Sequence, residues 1–417
     1  MHAHWKSIAF VATTVAALSG AIAAPASAQG DSDTITLGAA VSLTGKYSTN
    51  GKNTKDGYDL AVERVNEMGG VKVGDKSYKL KIIYYDDEST PARGAQLAER
   101  LINQDGVKFV LGPYSSGLTK AIAPVTEKYK IPMVEANGAD RGLFQQGYKY
   151  IFAVLSTSDQ YLTESLNLAA EQANKAGKDP SSLKVAVAIE NDNFSQDVRA
   201  GVLEDIERHG MQLVIDDKLP PELNDMAATL TKVKALQPDI LIVSAHAKGP
   251  PLALRQMKQM QVSVPMLAMT HCDSADIIDK FGKDSEFAVC ASQWDRALSY
   301  EDKWLGTAEE FAQAFEKKYD YEPPYQAAES AAAVLVYADA FARAGSLEPD
   351  KVRDALAETD MQTFYGNVKF DESGKNVAKP MVLYQVQDGE FQVVAPSKWA
   401  ETKVIYPAPS WSEREGT

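Results

Sequence analysis

Two adjacent serines stand where they could bind an anion. Residues 109–112 form a short apolar run typical of a buried strand, and Ser115 and Ser116 follow it at the predicted start of a helix. Free amide groups and hydroxyls at a helix N-terminus favour a carboxylate. The other interpretation, an ordinary N-cap, does not exclude ligand binding. We therefore predict that this turn binds the carboxylate of a small molecule.

Other polar or aromatic residues follow the remaining predicted strands at the same relative position. In an open α/β sheet, ligands bind in the crevice outside the carboxyl ends of the strands. This rule predicts a ligand site lined by Tyr114, Asn137, Gly138, Ala139, Phe194, His246, Thr270 and Trp294. For Trp294, packing between domains is an equally good interpretation.

The sequence contains no HExxH, GxSxG, paired CxxC or strand-linked GxGxxG motif. Residues 45–53 resemble a phosphate-binding loop, but one residue too many separates the glycines, and Asn53 stands where serine or threonine is required. An amidase or hydrolase that uses His246, or His271 with Cys272, is the remaining enzymatic alternative. We therefore expect no catalytic residue, no metal and no cofactor.

The first 28 residues predict export. A polar start containing Lys6 leads into an apolar run at residues 8–24 and then into an Ala-x-Ala pattern at residues 26–28. A membrane anchor is disfavoured because small and polar residues interrupt the run. We expect cleavage after Ala28, which leaves Gln29 as the first of 389 residues.

Charge and length restrict the partners and the domain organisation of the remaining chain. Loss of Lys6 changes the formal net charge from −14 (43 basic and 57 acidic residues) to −15 (42 and 57). Such a charge disfavours nucleic acid and anionic lipid surfaces as partners. No later segment has the ~18 consecutive apolar residues of a membrane span. A chain longer than about 300 residues favours two domains, and we expect a soluble monomer.

Cys272 and Cys290 are the only two cysteines. In an exported protein they are candidates for a disulfide, and the alternative is a buried pair of free thiols. Their spacing is not that of a redox-active CxxC pair.

Apolar runs alternate with amphipathic stretches, which predicts two parallel sheets covered by helices. The first series has strands at 34–42, 80–85, 109–112 and 132–135, with helices at 54–68, 91–103 and 118–129. The second has strands at 184–189, 212–215, 240–244, 266–269 and 287–291, with helices at 195–209, 225–236, 251–260 and 274–281. Helices at 308–319 and 326–344 and strands at 368–370, 381–386 and 391–394 follow.

Several segments, in order, resemble the periplasmic leucine/isoleucine/valine-binding proteins: residues 42–45 with Gly51, 65–70, 85–87, 112–116 and 146–148. The resemblance covers nearly the whole mature chain. It implies a type I periplasmic binding protein, in which two doubly wound α/β domains are joined by a three-strand hinge and close on a ligand. Transferred here, the crossovers fall near residues 154, 292 and 379. One lobe then comprises residues 29–154 and 293–378, and the other comprises 155–292 and 379–417.

The resemblance also implies roles for single residues. Tyr47 and Asn50 join the residues named above as ligand-binding positions, and Phe194 stands where the family has tyrosine. A second family tyrosine is replaced by His246 or Ala247, depending on the register of the alignment. Where the amino-acid binders carry a glutamate for the ligand's ammonium group, the alignment gives Thr270.

A missing countercharge makes an amino acid an unfavourable ligand, since an unpaired buried ammonium costs about 3–5 kcal/mol. The favoured hypothesis is a small organic acid, with an aromatic or unsaturated acid suiting the aromatic side chains. The partner implied is the permease of an ABC importer of the branched-chain amino-acid type. The alternatives are a branched-chain amino-acid binder that uses Asp140, Glu190 or Asp192 for the ammonium, and a sensor subunit that presents its closed form to a receptor.

Overall fold

The computed structural model of the chain describes residues 1, 2 and 33–414. The predicted signal peptide beyond His2 and its cleavage site lie outside the described residues. From Asp33 onward, the described residues belong to one compact unit. None of the helices in the described part of the chain combines the length and the apolar character that crossing a bilayer requires.

The first sheet contains six strands. Its elements, in chain order, are β1 (Thr34–Val41), α1 (Ser48–Glu67), β2 (Val71–Val73), β3 (Lys76–Asp86), α2 (Pro91–Asn103), β4 (Val110–Leu111), α3 (Ser116–Tyr129), β5 (Met133–Glu135) and β6 (Ile151–Ala153). The strand order is β2-β3-β1-β4-β5-β6. All neighbours are parallel except β2 and β3, which form an antiparallel hairpin.

The next part of the chain builds most of a second sheet. Its elements are α4 (Thr163–Lys175), β7 (Lys184–Glu190), α5 (Asn193–His209), β8 (Gln212–Leu219), α6 (Ala227–Leu236), β9 (Ile240–Ser244), α7 (Gly249–Met260), β10 (Met266–Thr270), α8 (Ile277–Phe281) and β11 (Val289–Ser292). Strands β7 to β11 pair in parallel. Every residue of β9 and β10 is buried, as expected for central strands covered by helices on both faces.

The last part of the chain adds a helix that packs on α1 and two strands that join the second sheet. Its elements are β12 (Glu301–Asp302), β13 (Gly306–Thr307), α9 (Ala308–Tyr319), α10 (Tyr325–Ala344), α11 (Pro349–Ala357), β14 (Asp360–Thr363), β15 (Gly366–Lys369), β16 (Val382–Gln387), β17 (Glu390–Ala395) and α12 (Trp411–Arg414). Strands β16 and β17 complete the second sheet, whose order is β17-β16-β11-β10-β9-β7-β8. The predicted fold class, two α/β sheets covered by helices, is confirmed.

Helix α10 packs closely against α1, the helix that follows β1 of the first sheet. A side chain at Gly57 would place its Cβ 2.1 Å from the carbonyl oxygen of Ala327, so only glycine permits this approach. Close packing fixes the start of α10, and therefore Tyr325 and Gln326, near the carboxyl ends of the strands.

The chain passes between the sheets at three places that are hydrogen-bonded to one another. It leaves the first sheet after β6, leaves the second after β11 and returns to it at β16. The Ser156 amide donates to Gln293 Oε1 (3.1 Å), and Gln293 Nε2 donates to the Ser156 carbonyl (2.8 Å). The Ser156 hydroxyl donates to the Lys379 carbonyl (2.8 Å). We call Ser156, Gln293 and Lys379 the crossover node. Lobe boundaries at residues 154, 292 and 379 remain a prediction.

Two buried ionisable groups lie at the crossover node. Burial lowers the pKa of Lys379 to about 7, although the nearby charge of Glu329 opposes this shift. Burial raises the pKa of Glu329 well above its ordinary value. Tyr365 connects the two, because its ring centroid lies 4.3 Å from the Lys379 amine and its hydroxyl donates towards Glu329 Oε2 (3.2 Å).

Cys272 and Cys290 form a disulfide, with their Cα atoms 6.0 Å apart. The bond connects the end of β10 to the adjacent strand β11, and both residues are buried.

Candidate functional site

The turn before α3 holds two buried serines. Ser115 is the N-cap, and its hydroxyl accepts from the Leu118 amide (3.4 Å). The Ser116 hydroxyl accepts from the Asp140 amide (3.0 Å) and keeps its own proton for a second hydrogen bond. The helix N-terminus and the Ser116 hydroxyl together can stabilise an anion.

The turn after β5 lies beside this helix. Asn137 Nδ2 donates to Ser330 (2.9 Å), whereas its Oδ1 is buried without a hydrogen-bond partner among the described residues. Gly138 packs against Thr119, where a Cβ would lie 2.3 Å from the threonine hydroxyl. Ala139 contributes a backbone carbonyl, which accepts from the Ser158 amide (2.8 Å). The unpaired oxygen of Asn137 is a hydrogen-bond acceptor available to a ligand.

Aromatic rings from both sheets meet between the strand ends. We call them the aromatic cluster: Tyr47, Tyr114, Tyr161, Phe194, His246, His271 and Tyr325. Tyr47, in the loop after β1, lies with its ring centroid 5.5 Å from that of Tyr114 and 4.8 Å from that of His246. Phe194 lies 5.1 Å from His271. These are edge contacts at distances favourable for aromatic pairs.

A hydrogen-bonded chain runs through the aromatic cluster. Asp192 Oδ2 lies 2.6 Å from His246 Nε2, and the Tyr114 hydroxyl lies 2.7 Å from His246 Nδ1 and 3.0 Å from His271 Nε2. With neutral His246, Tyr114 donates to it and accepts from His271, which leaves His271 Nδ1 as an acceptor. When His246 is charged, its Nδ1–H donates to Tyr114, and Tyr114 donates to His271 Nε2. The proton of His271 then lies on Nδ1, which becomes a donor. Within residues 33–414, His271 Nδ1 has no hydrogen-bond partner in either case.

The environment shifts the pKa values of two groups in this chain. Burial, reinforced by the charge of His246, lowers the pKa of His271 to about 3, so this ring is neutral near pH 7. Burial alone would raise the pKa of Asp192, but His246, the Ser195 amide and Lys46 together hold it below its ordinary value. Asp192 is therefore an ionised partner for His246.

An ion pair joins the two sheets beside the aromatic cluster. Lys46, in the loop after β1, pairs with Glu190 at the end of β7. The Lys46 amine also lies 4.9 Å from the centroid of the Tyr47 ring, within the range of a cation–π contact. Glu190 is buried, and its second oxygen accepts from the His246 amide (3.2 Å).

Glu190, Asp192 and His246 have the donor types of a metal site. Their ligand atoms lie within 4.8 Å of one another. Lys46 already neutralises Glu190 and His246 is bonded to Asp192, so the described side chains satisfy these charges without a metal ion.

Arg141 forms a second connection between elements of the two sheets. It lies in a short 3₁₀ helix after β5. Its Nε lies 2.7 Å from Asp197 Oδ1 on α5, and its Nη2 lies 2.8 Å from Glu204. The Arg141 amide also donates to Asp197 (3.0 Å).

The remaining predicted site residues have different surroundings. The Thr270 hydroxyl accepts from the Ala245 amide (3.1 Å) and donates to the Ala245 carbonyl (2.7 Å). Because the backbone uses both its donor and its acceptor, His271, and not Thr270, reaches the aromatic cluster from β10. Trp294 packs edge-on against Phe311 and donates to the Phe364 carbonyl (3.3 Å). Asn50 is buried in α1, and none of the residues that the structure describes bonds to its Nδ2.

A cavity of about 690 Å³ lies beside Trp294. Its lining contains Arg296 and eight carboxylates: Asp273, Asp276, Asp279, Asp295, Asp320, Glu322, Glu390 and Glu401. This excess of negative charge disfavours an anionic ligand. The Ser116 turn with the aromatic cluster is therefore the better candidate site for a carboxylate.

Two alternatives from the sequence lack structural support. Helix α1 begins at Ser48, so Lys52 lies within a helix, is exposed and pairs with Asp56 (2.5 Å), unlike the lysine of a phosphate-binding loop. Cys272 is disulfide-bonded and has no thiol for nucleophilic attack.

Three site residues were not predicted from the sequence: Lys46, Tyr161 and Tyr325. Lys46 follows β1 at a strand end, so the rule used for the other residues applies to it. Tyr161 and Tyr325 do not follow a strand, and only the folded chain brings them to the aromatic cluster.

Residues 34–390 match the family model described as periplasmic binding protein. A Pseudomonas aeruginosa leucine-, isoleucine-, valine-, threonine- and alanine-binding protein is 25% identical over 354 residues, which are 85% of this chain and 90% of that protein.

Two solved structures have the same fold. The substrate-binding protein LivJ from Streptococcus pneumoniae, in complex with isoleucine, has a TM-score of 0.76 and 22% identity, and the match covers 87% of this chain and 100% of LivJ. A solute-binding protein of an ABC transporter from Rhodopseudomonas palustris BisB5, in complex with 3,4-dihydroxybenzoic acid, has a TM-score of 0.75 and 20% identity. That match covers 91% of this chain and 99% of the other.

Proposed function

Because the chain belongs to the periplasmic binding protein family, we propose that it binds a small carboxylate between its two sheets and delivers it to an ABC importer of the branched-chain amino-acid type. The predicted signal peptide would export it to the periplasm as a monomer beginning at Gln29. The proposed ligand lacks an ammonium group, and an aromatic acid suits the site.

This proposal depends on the partners that the carboxylates near the site already have. Among the described residues near the site, Glu190 pairs with Lys46, Asp192 with His246, and Asp140 accepts from the Gly142 amide (2.8 Å). These are the three acids that the sequence suggested for the ligand's ammonium. At Glu190 or Asp192, a buried ammonium would have to displace the present partner, which costs several kcal/mol.

The groups left with hydrogen-bonding capacity suit an acid. The Ser116 hydroxyl and the N-terminus of α3 would bind the carboxylate, and rings of the aromatic cluster would cover the rest of the ligand. The unpaired atoms of Asn137, Asn50 and His271 could bond further polar groups, such as ring hydroxyls. Since these groups come from both sheets, binding would favour a closed form with the crossover node as the hinge.

A branched-chain amino-acid binder is the second candidate. Similarity to proteins that bind leucine, isoleucine and valine favours it. It would require Glu190 or Asp192 to exchange its present partner for the ligand.

A thermal-shift screen separates the two candidates. Benzoate, 4-hydroxybenzoate and 3,4-dihydroxybenzoate would be compared with leucine, isoleucine and valine. A ligand at 100 times its Kd stabilises the folded state by about 2.7 kcal/mol. We expect stabilisation by at least one acid and none by the amino acids. Stabilisation by leucine alone would support the second candidate and contradict the first. Scattering curves recorded with and without a stabilising ligand would then test closure.

A further inference from the structure

We propose that Lys46 decides ligand class, acting as a built-in ammonium group that occupies Glu190 and so excludes α-amino acids while admitting acids that lack the amine. This inference rests on the proposed function and identifies the residue responsible for its selectivity.

Lys46 has the contacts that a ligand's ammonium would make. Its amine pairs with a buried carboxylate and lies 4.9 Å from the centroid of the Tyr47 ring. A carboxylate together with an aromatic face is the environment that stabilises an alkylammonium ion away from water. The lysine reaches this place from the loop after β1, whereas Glu190 belongs to β7 of the other sheet.

The covalent attachment of this amine gives it an advantage over a free ligand. A group held on the same chain competes at an effective concentration in the millimolar range or above. An amino acid must therefore displace Lys46 from Glu190 and leave the lysine to find another partner. An acid without the amine needs no such exchange, since the Ser116 turn accepts it separately.

The other charged groups near Glu190 cannot take the place of Lys46. Its second oxygen accepts from the His246 amide, and Asp192 on the following turn is bonded to His246 Nε2. His271 is neutral near pH 7. Removal of the lysine charge would therefore leave Glu190 as a buried carboxylate without a cationic partner among the described residues that face it, and a ligand ammonium would relieve that cost.

The test compares acids with the amino acids that share their side chains. The pairs are 4-methylpentanoate with leucine and 3-phenylpropanoate with phenylalanine, titrated by calorimetry at pH 7. We expect the unmodified protein to bind the acid of a pair at least tenfold more tightly. In Lys46→Met, this preference should fall at least tenfold, through a gain in amino-acid affinity. Lys46→Arg keeps the positive charge and should keep the preference for the acid.

Two further variants separate selectivity from damage to the fold. Lys52→Met removes an exposed lysine six residues away, on α1, and should leave both affinities unchanged. Lys46→Met combined with Glu190→Gln should show no gain for the amino acid, because its carboxylate partner is gone. Melting temperatures would verify that each variant is folded.

Three outcomes would overturn the inference. An equal loss of both affinities in Lys46→Met would show that the lysine binds the ligand's carboxylate. Equal binding of leucine and 4-methylpentanoate by the unmodified protein would show that no exclusion exists. An unmodified protein that binds neither these acids nor the aromatic acids would contradict the proposed function itself.

Discussion

Two residues at the candidate site adopt backbone conformations that are unusual for any residue except glycine. Ser115 has φ of 81° and His271 has φ of 60°. Such conformations cost about 1–3 kcal/mol each and persist where the surrounding contacts enforce them. Ser115 caps α3 and His271 directs its ring into the aromatic cluster, so the strain falls on two residues that shape the site.

Replacement of Ser116 by alanine tests the carboxylate turn. The variant loses one hydrogen bond to a charged ligand, worth about 1.5–3 kcal/mol, so the affinity for the acid should fall tenfold to a hundredfold. Calorimetry with the best acid of the screen measures the loss. Thr270→Ala is the comparison, because the Thr270 hydroxyl bonds to Ala245 and should affect stability more than affinity. Unchanged affinity in Ser116→Ala would place the carboxylate elsewhere.

His271 should make the protein less stable in acid. Its pKa is about 3 in the folded state and about 6.5 in the unfolded chain. Between these values the unfolded state binds the extra proton, so the free energy of unfolding falls as the pH falls below 6.5. From pH 7 to pH 5, this one group should cost about 2 kcal/mol. Urea denaturation should show a smaller loss over that interval in His271→Gln, and equal losses would contradict the assignment.

At the scale of the element, the disulfide joins two neighbouring strands near His271. Cys272 and Cys290 are separated by 18 positions, and closure of a loop of this length stabilises by about 3 kcal/mol. The double replacement Cys272→Ala and Cys290→Ala should lower the free energy of unfolding by that amount. Denaturation of the unmodified protein under reducing conditions is the control and should give a similar loss. A stability equal to that of the oxidised protein would contradict the prediction.

Helices with one apolar face and fully buried strands could be predicted from the sequence. The bounds of α2, α9 and β9 are the predicted ones. The predicted start of α1 is six residues too late, because Ser48, Asn50 and Lys52 supply no apolar periodicity to mark its first turns. Strands β2 and β6, of three residues each, are too short for a periodic pattern.

Only part of the site could be predicted, from the rule that ligands bind outside the carboxyl ends of the strands. This rule gives Ser116, Asn137, Phe194 and His246. It does not give Tyr325, which α10 brings in through its packing on α1. It also does not distinguish Thr270 from His271, because that choice depends on a positive φ angle and on a hydrogen bond to the neighbouring strand.

At the scale of the whole molecule, Arg141 links elements of the two sheets. In Arg141→Gln, the loss of its ion pairs with Asp197 and Glu204 should destabilise the closed form by about 1 kcal/mol and weaken ligand affinity about fivefold. Arg199→Gln is a matched control, since Arg199 on α5 pairs with Asp216 on β8 within the second sheet. It should lower stability without changing affinity. Equal affinities in both variants would show that the Arg141 contacts do not differ between the open and closed forms.

In the proposed closure, the crossover node would bend at a point where burial favours neutral groups. With its pKa near 7, Lys379 exists partly as a neutral amine, and the raised pKa of Glu329 favours a neutral acid. When both groups are neutral they carry no charge, and when both are ionised their charges cancel. In either of these states, a rearrangement at this point would move a dipole, and not an isolated ion, through a region of low dielectric constant. The proposed hinge would then bend at little electrostatic cost in a buried place that otherwise disfavours charge.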